Sequence, residues 1–539
     1  MTLTPRRAAD FLAERLYQAG CRHAFGMPGG EVLTLVDALR KAGIRFTLVK
    51  HENSAGFMAE GTYHRTGAPG ILLATLGPGA MNGINSVANA FQDRVPLIVL
   101  SGCVDEDQAQ TYTHQVMDHR AVFASITKAT FRLCAKAADA VADKAVAIAT
   151  EGQPGPVFID VPISVADMRC APTHLRRRPA ASPTAPAEGP DLERARAWLA
   201  KAKRPVMIAG VDAMNDTAGM DIQAFCERFN VPLITTYKAK GIIPETHPLA
   251  LGGAGLSPLA DKVLIPFLQS ADLIICAGYD PIEMRAGWRD IWDPQVVNVI
   301  DISATPNHHY MHQATLSFIS DTGASLRAIG TPAAQPTWDA GEIDAAKTAL
   351  QKAFPRDEDW GPAAIIDTCR KHLPENTLAT ADSGAHRILL SQIWTCHEPR
   401  GLVQSTALCT MGCAVPLAMG IKIASPDRPV ISFSGDAGFL MVAGELATAA
   451  EQGLKPIFLV FVDASLSLIA LKQRQLQLPN HAVEFGLHDY AAIARAFGGN
   501  GYSVASRDEL RAALDRAQNT DRFTLIAATI PRGAYDGRF

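Results

Sequence analysis

Apolar residues arrive along this chain in short unbroken blocks. "ILLATL" (71–76), "PLIVLSG" (96–102) and "GPVFIDVP" (155–162) come early, and "RPVMIAG" (204–210), "VPLITTY" (231–237), "ADLIICAG" (271–278) and "VVNVID" (296–301) follow. "TLATADSGAH" (377–386), "RPVISF" (428–433), "KPIFLVFVD" (455–463) and "FTLIAATIP" (523–531) close the series. These blocks do not alternate polar with apolar, which marks strands buried on both faces of a parallel sheet. The intervening stretches are long enough for crossover helices. The opening "TPRRAADFLAERLYQAG" reads as an amphipathic helix carrying Asp10 and Glu14. This alternation predicts an α/β protein of doubly wound parallel sheets.

Two breaks divide the pattern. Residues 171–190, "APTHLRRRPAASPTAPAEGP", are rich in Pro and Ala and lack apolar periodicity, as a surface linker should. The run Arg176-Arg177-Arg178 is read as a solvated face of that linker. A second break begins at "GTPAAQPTWDAGE" (330–342). The expected organisation is an N-terminal domain at 1–170, a central domain at 191–330, a linker at 331–360 and a C-terminal domain at 361–539. Three such units suggest a ligand held between domains.

Composition narrows the function classes. The chain has 539 residues, 48% apolar and 19% charged, enough for large cores. A formal net charge of −4 argues against nucleic acid or an anionic membrane as main partner. No apolar run reaches the roughly 20 residues of a membrane span, and no apolar leader follows the first arginines. The ten cysteines contain no CxxC pair, and the closest spacing is Cys409 to Cys413. Buried free thiols and a cytoplasmic setting are expected.

The chemistry-bearing stretch is "SFSGDAGFLM" (432–441). Asp436 follows one apolar block and Asp463 follows the next, 463 − 436 = 27 residues later. That separation is a helix plus a strand, so both acids fall at carboxyl ends of neighbouring parallel strands. Two carboxylates there can hold one hard divalent cation, and small residues beside Asp436 let backbone amides approach phosphate. Spacing alone leaves open two unrelated strand-end turns.

Gly435-Asp436-Ala437, with Asp463 in the asparagine position, resembles the Gly-Asp-Gly … Asn cofactor motif of thiamine diphosphate (ThDP) enzymes. "VKHENSAGFMAEG" (49–61) resembles the family's His-Glu segment, with Glu52 as the carboxylate that meets the cofactor's pyrimidine ring. "FGMPGGEVLTLVDAL" (25–39), "TLGPGAMNGINSVANAFQDRVPLIVLSG" (75–102) and "LCTMGCAVPLAMG" (408–420) are similar to the acetolactate synthase branch. The resemblance implies ThDP and Mg2+. It assigns metal ligation to Asp436, Asp463 and the Ser465 carbonyl, and cofactor contacts to Gly29, Gly30, Gly384, His386, Met411, Gly435, Ala437, Gly438 and Leu466. It assigns catalytic or substrate-channel roles to Glu52, His114, Gln115 and Lys128. It further implies a homodimer or homotetramer with active sites at subunit interfaces.

The departures matter too. Ala437 and Asp463 replace the motif's last Gly and its Asn; His114-Gln115-Val116 stands where the branch has Phe-Gln-Glu. "GYDPIEMRAGW" (278–288) replaces the branch's arginine-bearing central signature, so FAD is expected to be absent or weakly held. A nucleotide contact from Arg285 is less expected than a surface role. The expected activity is decarboxylation of a 2-oxo acid, pyruvate foremost, with transfer of the acyl unit to an acceptor carbonyl. The rivals are a non-ligating decarboxylase or oxidase, and a cofactor-binding protein without catalysis. A plain dinucleotide dehydrogenase lacks its GxGxxG, since "GMPGGE" does not have that spacing.

Overall fold

The computed structural model describes residues 5–539 apart from 172–178, 180, 335, 336 and 340; the arginine run 176–178 thus lies outside the described residues. Three parallel sheets of six strands each organise the chain, as the sequence pattern requires. The first holds β1 (His23–Met27), β2 (Arg45–Leu48), β3 (Gly70–Ala74), β4 (Leu97–Cys103), β5 (Ala129–Arg132) and β6 (Val157–Pro162). Its spatial order is β2-β1-β3-β4-β6-β5. The central sheet holds β7 (Pro205–Ala209), β8 (Leu233–Thr236), β9 (Ala250–Ala254), β10 (Leu273–Ala277), β11 (Asn298–Ser303) and β12 (Leu316–Ile319). Its order is β9-β8-β7-β10-β11-β12. The third holds β13 (Leu378–Ala381), β14 (Leu402–Gln404), β15 (Val430–Gly435), β16 (Ile457–Val462), β17 (Asn500–Val504) and β18 (Thr524–Thr529). Its order is β14-β13-β15-β16-β18-β17, the same topology as the first. A short antiparallel pair, Arg6–Arg7 with Arg169–Cys170, ties the ends of the first unit together.

In a doubly wound sheet the chain reverses its direction of winding at one point, and the crevice there opens at the strands' carboxyl ends. That point falls between β1 and β3 in the first sheet and between β13 and β15 in the third. Gly29–Gly30 follow β1 and Thr75–Gly77 follow β3; Asp382–Gly384 follow β13 and Asp436 follows β15. Topology therefore brings the glycine-rich and acidic stretches to two equivalent rims.

The first and third units pack through two helices, α1 (Glu52–Thr66) and α2 (Ala414–Ala424). Glycines let them touch. A Cβ on Gly61 would stand 2.4 Å from the Leu417 carbonyl oxygen, and one on Gly420 2.1 Å from that of Met58. Glu445 Oε1 accepts the amides of Lys50 (3.0 Å) and His51 (3.0 Å), fixing the start of α1 against the third unit. All three units meet at a buried ion pair, in which Lys238 Nζ lies 2.8 Å from Asp93 Oδ2 and donates to the Gln404 carbonyl. No helix among the described residues is long and apolar enough to cross a membrane.

Candidate active site

Asp436 opens a short helix directly after β15, and Asp463 follows the adjacent β16. Both are buried. Asp436 Oδ2 accepts the amides of Asp463 (3.1 Å) and Ala464 (2.7 Å), and its Oδ1 accepts that of Ala437 (2.9 Å). Two successive N–H groups thus converge on one carboxylate oxygen, and the chain turns away from it at Ala464, which holds a left-handed backbone, φ +53°. Asp463 accepts the Ser465 amide (3.2 Å) and the Ser467 hydroxyl. Burial raises the pKa of Asp436 against these amides, and burial together with the Asp436 charge pushes Asp463 up to about 6. Neither acid forms an ion pair among the described residues; two desolvated carboxylates side by side suit a hard divalent cation.

The cavity beside them is about 240 Å³ and is lined by Ser383, Gly384, His386, Met411, Gly435, Asp436, Ala437, Gly438, Asp463, Ser465 and Leu466, among others. Its walls need small residues. A Cβ on Gly438 would lie 2.1 Å from Asp382 Oδ2, and one on Gly384 2.8 Å from the His386 ring. Ser383 Oγ and His386 Nε2 are buried without a hydrogen-bond partner among the described residues. Burial and Arg387 lower the His386 pKa to about 3, so the imidazole is neutral. Unsatisfied polar atoms, a carboxylate pair and close-set glycines fit a diphosphate–metal group. Every lining residue comes from 383–535.

Glu52 stands on the other rim. It is the first residue of α1, where the helix dipole favours a carboxylate, and His51 caps the helix by accepting the Asn53 amide at 3.1 Å. Glu52 is 4% exposed, and its Oε2 accepts from Asn82 Nδ2 at 3.0 Å. A Cβ on Gly79 would stand 3.1 Å from Oε1, so Gly79 keeps that oxygen approachable. Gly29 packs against Thr75 and Glu31, while a Cβ on Gly30 would meet nothing within 4 Å.

Gln115, φ +57°, lies exposed beside Gly77, whose added Cβ would be 3.3 Å from that of Gln115. His114 is exposed next to Tyr112, ring centroids 6.2 Å apart. The rim of the first sheet therefore gathers Gly29, Gly30, Glu52 and Gln115. Lys128 is elsewhere: it precedes β5, at the opposite edge of the sheet, and its Nζ donates to the Glu151 carbonyl at 2.7 Å. Arg285 pairs with Asp261, which also accepts from Trp288 Nε1 at 2.9 Å.

Several positioning residues escaped the sequence reading. His119 is buried between the Gly77 amide, which donates to Nε2 at 3.0 Å, and Asp160 Oδ1, 3.0 Å from Nδ1. These two bonds fix the tautomer and pin the 104–118 segment to the Gly77 turn. Asn82 orients Glu52, and Asp382 accepts the Gly412 amide (3.0 Å) and so holds the Met411 turn. No motif flags them, because each partner lies far away in sequence.

Comparisons with known proteins show the family of the chain. The model of the thiamine pyrophosphate enzyme N-terminal TPP binding domain matches residues 6–122, that of the central domain 192–329, and that of the C-terminal TPP binding domain 382–528. The chain is 29% identical over 536 residues to an acetolactate synthase of Bacillus subtilis, covering 97% of this chain and 93% of the relative. It is 31% identical over 479 residues to the acetolactate synthase isozyme 1 large subunit of Escherichia coli, covering 86% and 83%. It is 30% identical over 543 residues to the acetolactate synthase large subunit of Corynebacterium glutamicum, covering 96% and 86%.

Proposed function

This chain belongs to the thiamine pyrophosphate enzymes of the acetolactate synthase type, and from that premise we propose that it decarboxylates pyruvate and joins the remaining two-carbon unit to a second 2-oxo acid or aldehyde, with Mg2+ tying the cofactor to the protein. The carrying observation is the cup between β13 and β16. It has the donors for a metal diphosphate but no residue from the first unit, whereas Glu52 waits on an equivalent rim. On this reading the site is completed between two copies of the chain, as a homodimer or a homotetramer acting in the cytoplasm.

When bound, ThDP supplies the carbon nucleophile for the 2-oxo acid and the electron sink that lets carbon dioxide leave. The residues do the rest. Asp436, Asp463 and the Ser465 carbonyl offer hard oxygens to Mg2+. Gly384, Gly435, Ala437 and Gly438 keep backbone close to the diphosphate, and neutral His386 offers a hydrogen bond through its free Nε2. Met411 and Leu466 supply apolar wall. Glu52, held by Asn82 through Oε2, would offer Oε1 to a proton of the pyrimidine ring. Gln115 and His114 present polar groups to substrate from the exposed 104–118 segment. Lys128 would meet substrate only at a site formed with another subunit. FAD is left outside this reading, since Arg285 is engaged by Asp261.

The test is incubation of the full chain with ThDP, Mg2+ and pyruvate, alone and with an added aldehyde or second 2-oxo acid, with products identified by mass spectrometry. Hydroxy-keto products are expected. Aldehyde as the sole product would replace this reading with the non-ligating decarboxylase.

A further inference from the structure

The central sheet carries a second cluster that the ThDP chemistry does not use. Cys276 on β10 and Asp301 on β11 are register partners on neighbouring parallel strands, so both side chains leave the same face of the sheet. That face is otherwise apolar, with Ile274, Val299 and Trp292 in its core. The segment after β11 folds back and sets His312 over the pair. One ligating atom from each of Cys276, Asp301 and His312 lies within 4.8 Å of the other two, and all three residues are buried.

Two features separate this trio from an ordinary polar core. Asp301 Oδ1 and His312 Nδ1 are fully buried without a hydrogen-bond partner among the described residues, on residues that are each 2% exposed. The other ring nitrogen, Nε2, faces the Asn307 side-chain amide at 3.4 Å; with the ring proton on Nε2 and the Asn307 oxygen turned to accept it, the unpartnered Nδ1 presents its lone pair to a metal. The surroundings are negative as well. Asp212 and Asp280 both act on Asp301, and among the described residues the cation near them, Arg94, is committed to Asp280 at 3.0 Å. Tyr279 and Trp292 wall the imidazole, with ring centroids 5.1 and 5.3 Å away. Among the described residues, this buried acid, thiol and imidazole have no common positive partner.

We propose that Cys276, Asp301 and His312 form a binding site for a zinc-class divalent transition metal, independent of the ThDP–Mg2+ centre. A thiolate and an imidazole select zinc, cobalt or ferrous iron over magnesium or calcium, which prefer oxygen alone. Bond lengths of about 2.0–2.3 Å in a tetrahedral site require the three atoms to draw in by roughly an ångström. The exposed segment at 305–310 allows that movement and offers an entry route. Three protein ligands leave a fourth position for water or a small ligand. The bound ion ties the chain after β11 to the sheet next to the Arg94–Asp280 contact with the first unit.

The test uses the full chain, stripped with a chelator, given excess Mg2+ to occupy oxygen-only sites, and titrated with Co2+. One cobalt per chain with a thiolate-to-cobalt charge-transfer band is expected, and Zn2+ should displace it. Cys276→Ser should abolish the band, and Asp301→Asn should weaken Co2+ binding at least tenfold, with circular dichroism unchanged. Zinc-edge X-ray absorption on the unsubstituted protein gives the same answer without any variant, as one sulfur among nitrogen and oxygen neighbours. Absence of the band, an undiminished band in Cys276→Ser, or an all-oxygen zinc shell would overturn the site.

Discussion

Asp463→Asn should stabilise the protein when cofactor and metal are absent. Asp463 is 7% exposed, receives one backbone amide and one hydroxyl, and faces the charge of Asp436. Its pKa rises from the ordinary 3.8 to about 6 in the folded chain, burial being the first cause. Below the unfolded pKa both states hold the proton and nothing is lost. Between that value and about 6 the unfolded chain releases the proton while the folded chain keeps it, so stability falls as pH rises. Above about 6 the full cost is present. A shift of about two units is worth at most ~3 kcal/mol, and a new amide N–H needing its own acceptor takes back part of it. A gain on the order of 1–3 kcal/mol at pH 7.5 is therefore expected, shrinking as pH is lowered toward 5. Urea unfolding of the chelator-treated protein at both pH values measures it. An Asn variant that is no more stable at pH 7.5, or whose advantage grows toward acid, would refute the reasoning. With Mg2+ and ThDP present the order should invert, because the second carboxylate then faces a cation rather than only its neighbour.

Glu52→Gln should fold normally and lose at least a hundredfold in turnover, since an amide cannot share a proton with the cofactor ring; steady-state kinetics beside a thermal melt would check it, and unaltered turnover would displace Glu52 from the site. Mixing inactive Glu52→Gln chains with inactive Asp436→Ala chains should restore part of the activity, because each site would draw its rims from different copies; no recovery in verified mixed oligomers would place both rims in one chain. Gly420→Ala should cost roughly 1–3 kcal/mol or more, since the methyl would sit 2.1 Å from the Met58 carbonyl oxygen across the α1–α2 crossing. Gly444→Ala, whose methyl would meet only Lys50 Cβ at 3.9 Å, is the silent control in the same denaturant titration.

The sequence by itself determined the fold class and the third unit's half of the candidate site. Central strands are buried on both faces, so β4, β6, β10, β15, β16 and β18 stand out as apolar blocks whatever surrounds them. The 27-residue interval from Asp436 to Asp463 spans one strand–helix–strand unit, whose parallel geometry leaves little freedom over where its ends fall. Strands at sheet edges were illegible for the converse reason. β2, β5, β12 and β17 are only partly buried, and their sequences mix polar with apolar positions. Tertiary structure alone decided the rest. His119 meets Asp160 across 41 positions, Asn82 meets Glu52 across 30, and the thiol of Cys276 meets His312 only because β10 and β11 pair in register and the chain after them turns back. Lys128 shows the limit most plainly. Its spacing from Gln115 resembles the family pattern, and only the fold shows that it precedes β5 at the edge of the sheet opposite β2. Which edge a residue occupies depends on strand direction and crossover, and no local pattern of residue types encodes that.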